Sequence, residues 1–504
     1  MKLSIALALI ASGAVAAEAP PTALVDAAKQ DDAAAALAQI AAGADVNAPA
    51  SDGTTALHWA VHHDDVPLID ALLKAHANPK ASNDYGSTPM SEAAIFGDTA
   101  VIEKLLKAGA DAESPNADGQ TALMLIARTS NVEAARILIR HGANVNAVEK
   151  WRGQTALHWA AAQSQGAMVK ELLRHHANPD ARSMVNTGLH QVTAEPRIQA
   201  RPRGGLTPLL YAARQGCLEC AKALVEAGAD VNLIDPDGVT PLLMATENFH
   251  FDLAAYLLGK RADPNRWDWW GRAPLYAAVD LNTLPYGGRP DHISLDSTTC
   301  LKLIELLLNA GANPNAQLRL FPPYRALGAD RGGDSLLSIG TTPLLRAARA
   351  GDVPAIRLLL AHGAHPDLGN NTDVTPLMAA AGVGATTVDT RGKYKTQPEA
   401  IASIEALLAA GADINAADRR GQTAVHGAAF WGYDDVVRAL AQHHAKLDAK
   451  DARGMTPLDA ALGRAGGLGR GGQGGTVHES TATLLKELMA SATTASTSEP
   501  RPPQ

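Results

Sequence analysis

Three tryptophans fall within four positions in "NRWDWWGRAPLYAA", Asn265 to Ala278, and they are three of only seven in the 504-residue chain. Indoles gathered this closely can wall a pocket, fill a core or anchor a partner. The polar chemistry elsewhere is thin. "HHDD" (His62 to Asp65), "RHH" (Arg174 to His176) and "QHH" (Gln442 to His444) supply imidazoles, but adjacent histidines on a helix diverge and no His-Glu-x-x-His spacing is present. "CLEC", Cys217 to Cys220, has the C-x-x-C spacing of a redox pair without a strand before it. Structural thiols are the first reading of it, and a local disulfide the second. "GLGRGG", Gly467 to Gly472, matches a dinucleotide-binding G-x-G-x-x-G in letters only, since no apolar strand precedes it. Neither G-x-S-x-G, nor a phosphate-binding loop, nor a pair of carboxylates at catalytic spacing appears. The sequence therefore points away from an enzyme, a metal site or a bound cofactor.

The elements that must position these residues come from a repeat. "TALHWA" at Thr55 is followed by related hexapeptides at Thr88, Thr121, Thr155, Thr207, Thr240, Ala273, Thr342, Thr375, Thr423 and Thr456, and the spacing of 33 residues recurs six times. In "GVTPLLMAT", Thr240 caps a short helix and Pro241 occupies its first turn, where the missing N–H costs nothing. Leu242, Leu243 and Ala245 give that helix a buried side. The second helix, "FDLAAYLLGK", carries Leu253, Tyr256 and Leu257 at helical spacing. Glycines at 109, 142, 228, 311, 363 and 411 end the second helices, with His76, His176, His444 and Arg261 in their place elsewhere.

With its "AGADVNA"-type closing segments, this sequence resembles the ankyrin-repeat proteins from about Thr22 to Met489. The resemblance implies an all-α solenoid of about twelve helix-turn-helix units with short β-hairpin fingers. It also implies that His58, His158 and His426 are architectural, and that the chain is an interaction module. The low aromatic content of 4% agrees with thin, Ala- and Leu-rich helices packed closely.

The N-terminus, "MKLSIALALIASGAVAAEAPP", has one basic residue, an apolar run from Leu3 to Val15 and small residues at Ala14, Ala16 and Ala17. It reads as a signal peptide over residues 1–17, cleaved near Ala16 or Ala17, of a periplasmic or secreted bacterial protein. The run is too short to cross a bilayer, which takes about 20 apolar residues, and no later segment is long enough. A net charge of −8 argues against nucleic acid. The third cysteine, Cys300, lies two units from Cys217, too far to bond with it.

Departures from the period mark insertions: fingers at 182–205 and 317–340, and segments between paired helices at 280–298, 382–398 and 463–477. Repeats then occupy 22–181, 206–316 and 341–489, and 490–504 reads as a disordered tail. The expected site is a protein-binding surface on the concave face, with the inserted loops walling a groove over the middle repeats. Its anchors are Trp267, Trp269, Trp270, Tyr286, Arg289, Phe321, Tyr324 and Arg325, with Trp151 and Tyr85 on other finger tips. Alignment of "NRWDWWGR" on "NLIDPDGV" places Trp269 and Trp270 at finger-tip positions, where neither is expected in the core. The loops folding back over the indoles is the alternative. A monomer with one protein partner of unknown identity is the leading expectation, and a binder of cell-wall glycan or a small ligand, with hydrolysis conceivable, is the rival.

Overall fold

The helices begin where the Thr-Pro signature places them. In the computed structural model, which describes residues 22–194, 197–283, 294–320, 336, 338–384, 395–464 and 476–497, these residues form twenty-four helices and a two-stranded sheet. Thr240 Oγ1 accepts from Leu243 N at 3.1 Å and Thr342 Oγ1 from Leu345 N at 3.1 Å, each satisfying an N-terminal donor that the helix cannot. Several second helices are capped in the same way by acids and amides, as Asp65 caps Val66–Lys74 and Asn131 caps Val132–Arg140. They end in left-handed residues. Gly228 has φ +95°, and His76, His176, His444 and Arg261 adopt φ between +62° and +66° in the glycine's place.

The helices make twelve consecutive pairs, from Ala23–Lys29 with Ala33–Ala41 to Pro457–Ala461 with Glu479–Thr497. They fall into two compact units. The first is Met1–Trp151 with Thr155–Trp159 and Arg174–Ala177; the second is Arg152–Gln154 with Ala160–Leu173 and Asn178–Gln504. Within each unit first helices stack on first helices and second on second, so no pair has to bury its stripe alone. Alanines such as Ala56, Ala94, Ala122, Ala212 and Ala348 are fully buried between them, the close packing that the composition implied. In Phe251–Gly259 the inward side is Phe251, Leu253, Ala254 and Leu257. Tyr256 is only half-buried there, because its ring lies at the margin beneath the ammonium groups of Lys222 and Lys260.

Seven of the fingers are tight turns, each held by one acid or amide. Asn83, Asn116, Asp235, Asp268, Asn370, Asp418 and Asp451 all accept from the N–H groups two and four residues on. Successive fingers are joined tip to tip by backbone bonds such as Asp84 N to Asp52 O, Lys150 N to Asp118 O, Trp269 N to Asp237 O and Ala452 N to Arg420 O. Among the described residues the one finger that grows into true strands is the first insertion. There β1, Val185–Ala194, pairs antiparallel with β2, Arg197–Gly204, from Val185 opposite Gly204 to Ala194 opposite Arg197.

The last helix, Glu479–Thr497, runs into the 490–504 stretch expected as a disordered tail. Its Ala, Ser and Thr continue a helix already nucleated by packing, and Ser491 Oγ bonds back to Glu487 O. The 1–17 segment and most of the later insertions lie outside the described residues.

Candidate functional site

The tryptophan finger sits in the second unit, between the helices Phe251–Gly259 and Pro274–Asn282. Its turn is built on Asp268, which is fully buried. Asp268 Oδ1 accepts from Trp270 N and Arg272 N, and Oδ2 takes the Arg272 guanidinium at 2.6 Å. Arg272 also reaches Glu247 at 2.6 Å. Burial opposes the charge on Arg272, but the carboxylates of Glu247 and Asp268 outweigh it and raise its pKa above the ordinary arginine value.

The three indoles have different environments. Trp270 is 8% exposed, which corrects the expectation that it cannot be core. Its carbonyl accepts from Arg319 N and Leu320 N, so the start of the next, enlarged finger lies across it, and the Arg272 guanidinium is 5.4 Å from its ring centre. Trp267 and Trp269 remain 44% and 43% exposed. One face of each is taken by a guanidinium, Arg319 at 3.7 Å over Trp267 and Arg201 at 3.8 Å over Trp269. Arg201 comes from β2, and it also binds Asp237 Oδ1 and Pro236 O, both at 2.8 Å. The inserted hairpin is therefore fastened to the neighbouring finger row through Trp269, whereas the loops that the fold-back alternative concerned, within 280–298 and 317–340, lie mostly outside the described residues. Tyr286, Arg289, Phe321, Tyr324 and Arg325 lie outside the described residues, and with them the proposed groove walls.

In the first unit Tyr85 and Trp151 stand exposed on finger tips, the Trp151 indole N–H donating to Asp118 Oδ1 at 2.7 Å. Sequence reasoning missed a second set of aromatics, at the ends of the first helices remote from the fingers. Ile95 and Phe96 close the helix Pro89–Phe96 and are 53% and 56% exposed. The His62 ring meets Phe96 edge-on at 5.6 Å and Trp59 at 5.6 Å, while His63 stacks on Trp59 at 6.0 Å and Lys29 Nζ lies 5.6 Å above it. Further along the unit, Arg128 lies 5.4 Å over Trp159. The signal was available in the alignment. "AAIFGD" carries an apolar pair where "AARQGC" and "AARAGD" carry Arg and a small or polar residue.

The histidines of the repeat motif are architectural, whereas the cysteine pair is an exception. His58 Nδ1 accepts from Thr55 N at 3.1 Å and its Nε2 faces Ser87 O at 3.0 Å; His426 repeats this with Thr423 N and Met455 O at 3.1 Å each. A donor on one nitrogen and an acceptor on the other select the neutral Nε2–H tautomer. Burial pulls both imidazoles below the ordinary value of 6.5. His158 Nδ1 takes the same bond from Thr155 N. Among the described residues no group of three or more His, Cys, Asp and Glu is placed to hold a metal, and no helix is long and apolar enough to cross a membrane. "GLGRGG" lies outside them. The exception is "CLEC": Cys217 and Cys220 are joined by a disulfide, so the first reading of them as structural thiols gives way to the second.

Comparison with known proteins covers well over half of the chain. Residues 24–116, 91–183, 185–268, 209–318 and 397–467 match the family described as "Ankyrin repeats (3 copies)", and residues 339–371 match "Ankyrin repeat". SH3 and multiple ankyrin repeat domains protein 2 of Homo sapiens is 30% identical over 142 residues, 24% of this chain and 8% of that protein. NF-kappa-B inhibitor delta of Mus musculus is 27% identical over 149 residues, 29% of this chain and 40% of that protein. Cyclin-dependent kinase 4 inhibitor B of Bos taurus is 34% identical over 123 residues, 24% of this chain and 82% of that protein. The chain thus spans less than a tenth of the first of these relatives and less than half of the second.

Proposed function

Because the chain belongs to the ankyrin-repeat family, we propose that it is an exported, non-catalytic scaffold that holds a protein partner. The contact is made first on the first-helix surface of unit one, and secondarily on the outer faces of the finger aromatics. The observation that carries this reading is the apolar pair Ile95 and Phe96, more than half exposed and bordered by Trp59, His62 and His63. Large apolar side chains left in water next to aromatic rings mark contact surfaces. Within each unit the stacked repeats are preformed, which lowers the ordering cost of binding. Two of the relatives bear the names of inhibitors, one of them of a cyclin-dependent kinase, which supports a role exerted by holding another protein.

Trp267 and Trp269 contribute less here than their number suggests, since each already has one face occupied by an arginine. Export is supported by the apolar run Leu3 to Val15. It is supported also by the Cys217–Cys220 disulfide, a bond that persists in oxidising compartments.

The test is capture by the full chain against an I95S/F96S variant, from extract of the exported fraction and from insoluble cell wall. Replacing exposed residues should change stability by less than about 0.5 kcal/mol. Capture of one stoichiometric protein should weaken at least about tenfold, or 1.4 kcal/mol. Undiminished capture by the variant would remove this surface from the proposal, and retention of both chains on cell wall alone would favour the glycan reading.

A further inference from the structure

The disulfide between Cys217 and Cys220 spans three residues within the first turn of the helix Leu218–Glu226. A staple is not needed there. Cys217 is the N-cap, a place that Asp65, Asp98, Asn131 and Asp352 fill in other pairs, each accepting from the N–H three residues on. Cys220 occupies the inward position that Leu68, Val101, Ala134 and Ala355 fill there, all of them buried. Those helices start and pack in the same way without sulfur. A ring of four residues also constrains the unfolded chain less than any longer crosslink would.

What the pair adds is chemistry. Cys220 is fully buried, whereas Cys217 is half-buried at the mouth of the helix, with the Cys220 N–H pointing at its sulfur from 3.2 Å. An N–H donor at a helix N-terminus stabilises negative charge on that sulfur and so favours its thiolate. The residue before it, Gly216, has φ +75°, and the His250 ring lies where a Cβ on Gly216 would stand. The remaining cysteine does not compete. Burial pushes the Cys300 thiol up to about 12, and its sulfur donates to Ala278 O at 3.1 Å.

We infer that Cys217–Cys220 is a thiol–disulfide exchange centre, with Cys217 the attacked and attacking sulfur, Cys220 the resolving one, and a dithiol, protein-borne or small, as the reaction partner. One thiolate of the dithiol attacks Cys217 Sγ and forms a mixed disulfide. Cys220 Sγ leaves with the electron pair of the broken S–S bond and takes a proton from water. The second thiolate of the dithiol then attacks its own bridging sulfur and releases Cys217 as a thiolate. Two electrons pass to the protein, and the dithiol ends as a disulfide.

The experiment uses the full chain in a C300S background, equilibrated with reduced and oxidised dithiothreitol under native conditions and read by alkylation mass shift. The pair should titrate as one two-electron couple with unchanged far-ultraviolet circular dichroism. C220S should form a mixed disulfide with oxidised glutathione at Cys217 at least about tenfold faster than C217S does at Cys220, as thiolate character and exposure require. C217D/C220A, which copies the Asp352 and Ala355 pair, should keep the melting temperature of the oxidised chain. The proposal is overturned if the bond resists millimolar dithiothreitol until the chain unfolds, if the two single variants react equally fast, or if C217D/C220A melts far lower, which would make the bond a staple.

Discussion

Asp235 closes the finger that precedes the tryptophan finger, its Oδ1 accepting from the N–H groups of Asp237 and Val239 at 2.9 Å each. Burial pushes its carboxyl up from the ordinary 3.8 to about 6; the Val239 N–H pulls against this, while the charges of Asp237 and Glu247 add to the rise. The folded chain therefore holds this proton more tightly than the unfolded chain. The stability so gained is complete below about pH 4 and is lost as pH rises through about 6, so at pH 8 the ionised carboxylate is a penalty. A rise of about two units corresponds to about 3 kcal/mol, and partial solvent access reduces the expected effect to about 1–3 kcal/mol. D235N removes the charge and keeps the acceptor. Asn83, Asn116 and Asn370 already close their fingers with the same pair of bonds. The variant should be more stable than the parent at pH 8 by that amount, with the difference vanishing by pH 4. Urea unfolding followed by tryptophan emission reads it locally, since Trp269 N bonds to Asp237 O. A gain of equal size at both pH values, or a loss at pH 8, would refute the reasoning.

Two further expectations rest on single groups. His58 and His426 act with the opposite sign: burial holds their pKa values below 6.5, so the stability they contribute is present above that pH and falls away as pH drops below it. H426L should cost about 1–3 kcal/mol at pH 7.5 by leaving Thr423 N and Met455 O unpaired. It should also flatten the acid limb of the melting curve, and an unchanged limb would show that the imidazole does not titrate as described. R201K removes the flat stack on Trp269 and the paired bonds to Asp237 and Pro236 that a point charge cannot reproduce. It should shift Trp269 emission to the red and expose β1 and β2 to hydrogen exchange, whereas parental emission would mean the hairpin is held by something else.

The helix pairs were legible because a Thr cap, a Pro in the first turn and a left-handed terminator are local signals that act within four residues of themselves. The same locality explains the misplacement of Trp270. Finger alignment places its backbone correctly on Asp237, but its burial depends on Arg319 and Leu320, which dock from the next finger at the root of an insertion. Periodicity says nothing about which insertion lies across which tip. Ile95 and Phe96 were missed for a different reason. Breaks in the period single out the residues that interrupt the repeat, whereas these two sit in perfect register and depart only in polarity or size from Arg214 and Gln215 or Arg349 and Ala350. The disulfide needed geometry as well, since C-x-x-C spacing is compatible with two thiols or one bond until the helix turn brings the two Cα atoms to 5.2 Å.

The tip-to-tip backbone bonds have a hereditary consequence. A finger that gives one N–H backward and offers one carbonyl forward is a coupling with matching ends, so a duplicated stretch of one whole period arrives with both ends already paired. Loss of a whole period rejoins its neighbours just as well. A length change of any other size would orphan a donor and an acceptor unless the extra residues leave the row before the coupling is made or after it is closed. The first insertion does the latter: Met184 N still reaches Arg152 O before β1 departs. Gene lineages of such a chain are thus expected to drift freely in the number of units, while additions of odd length collect at the few points where the row of couplings can close without them.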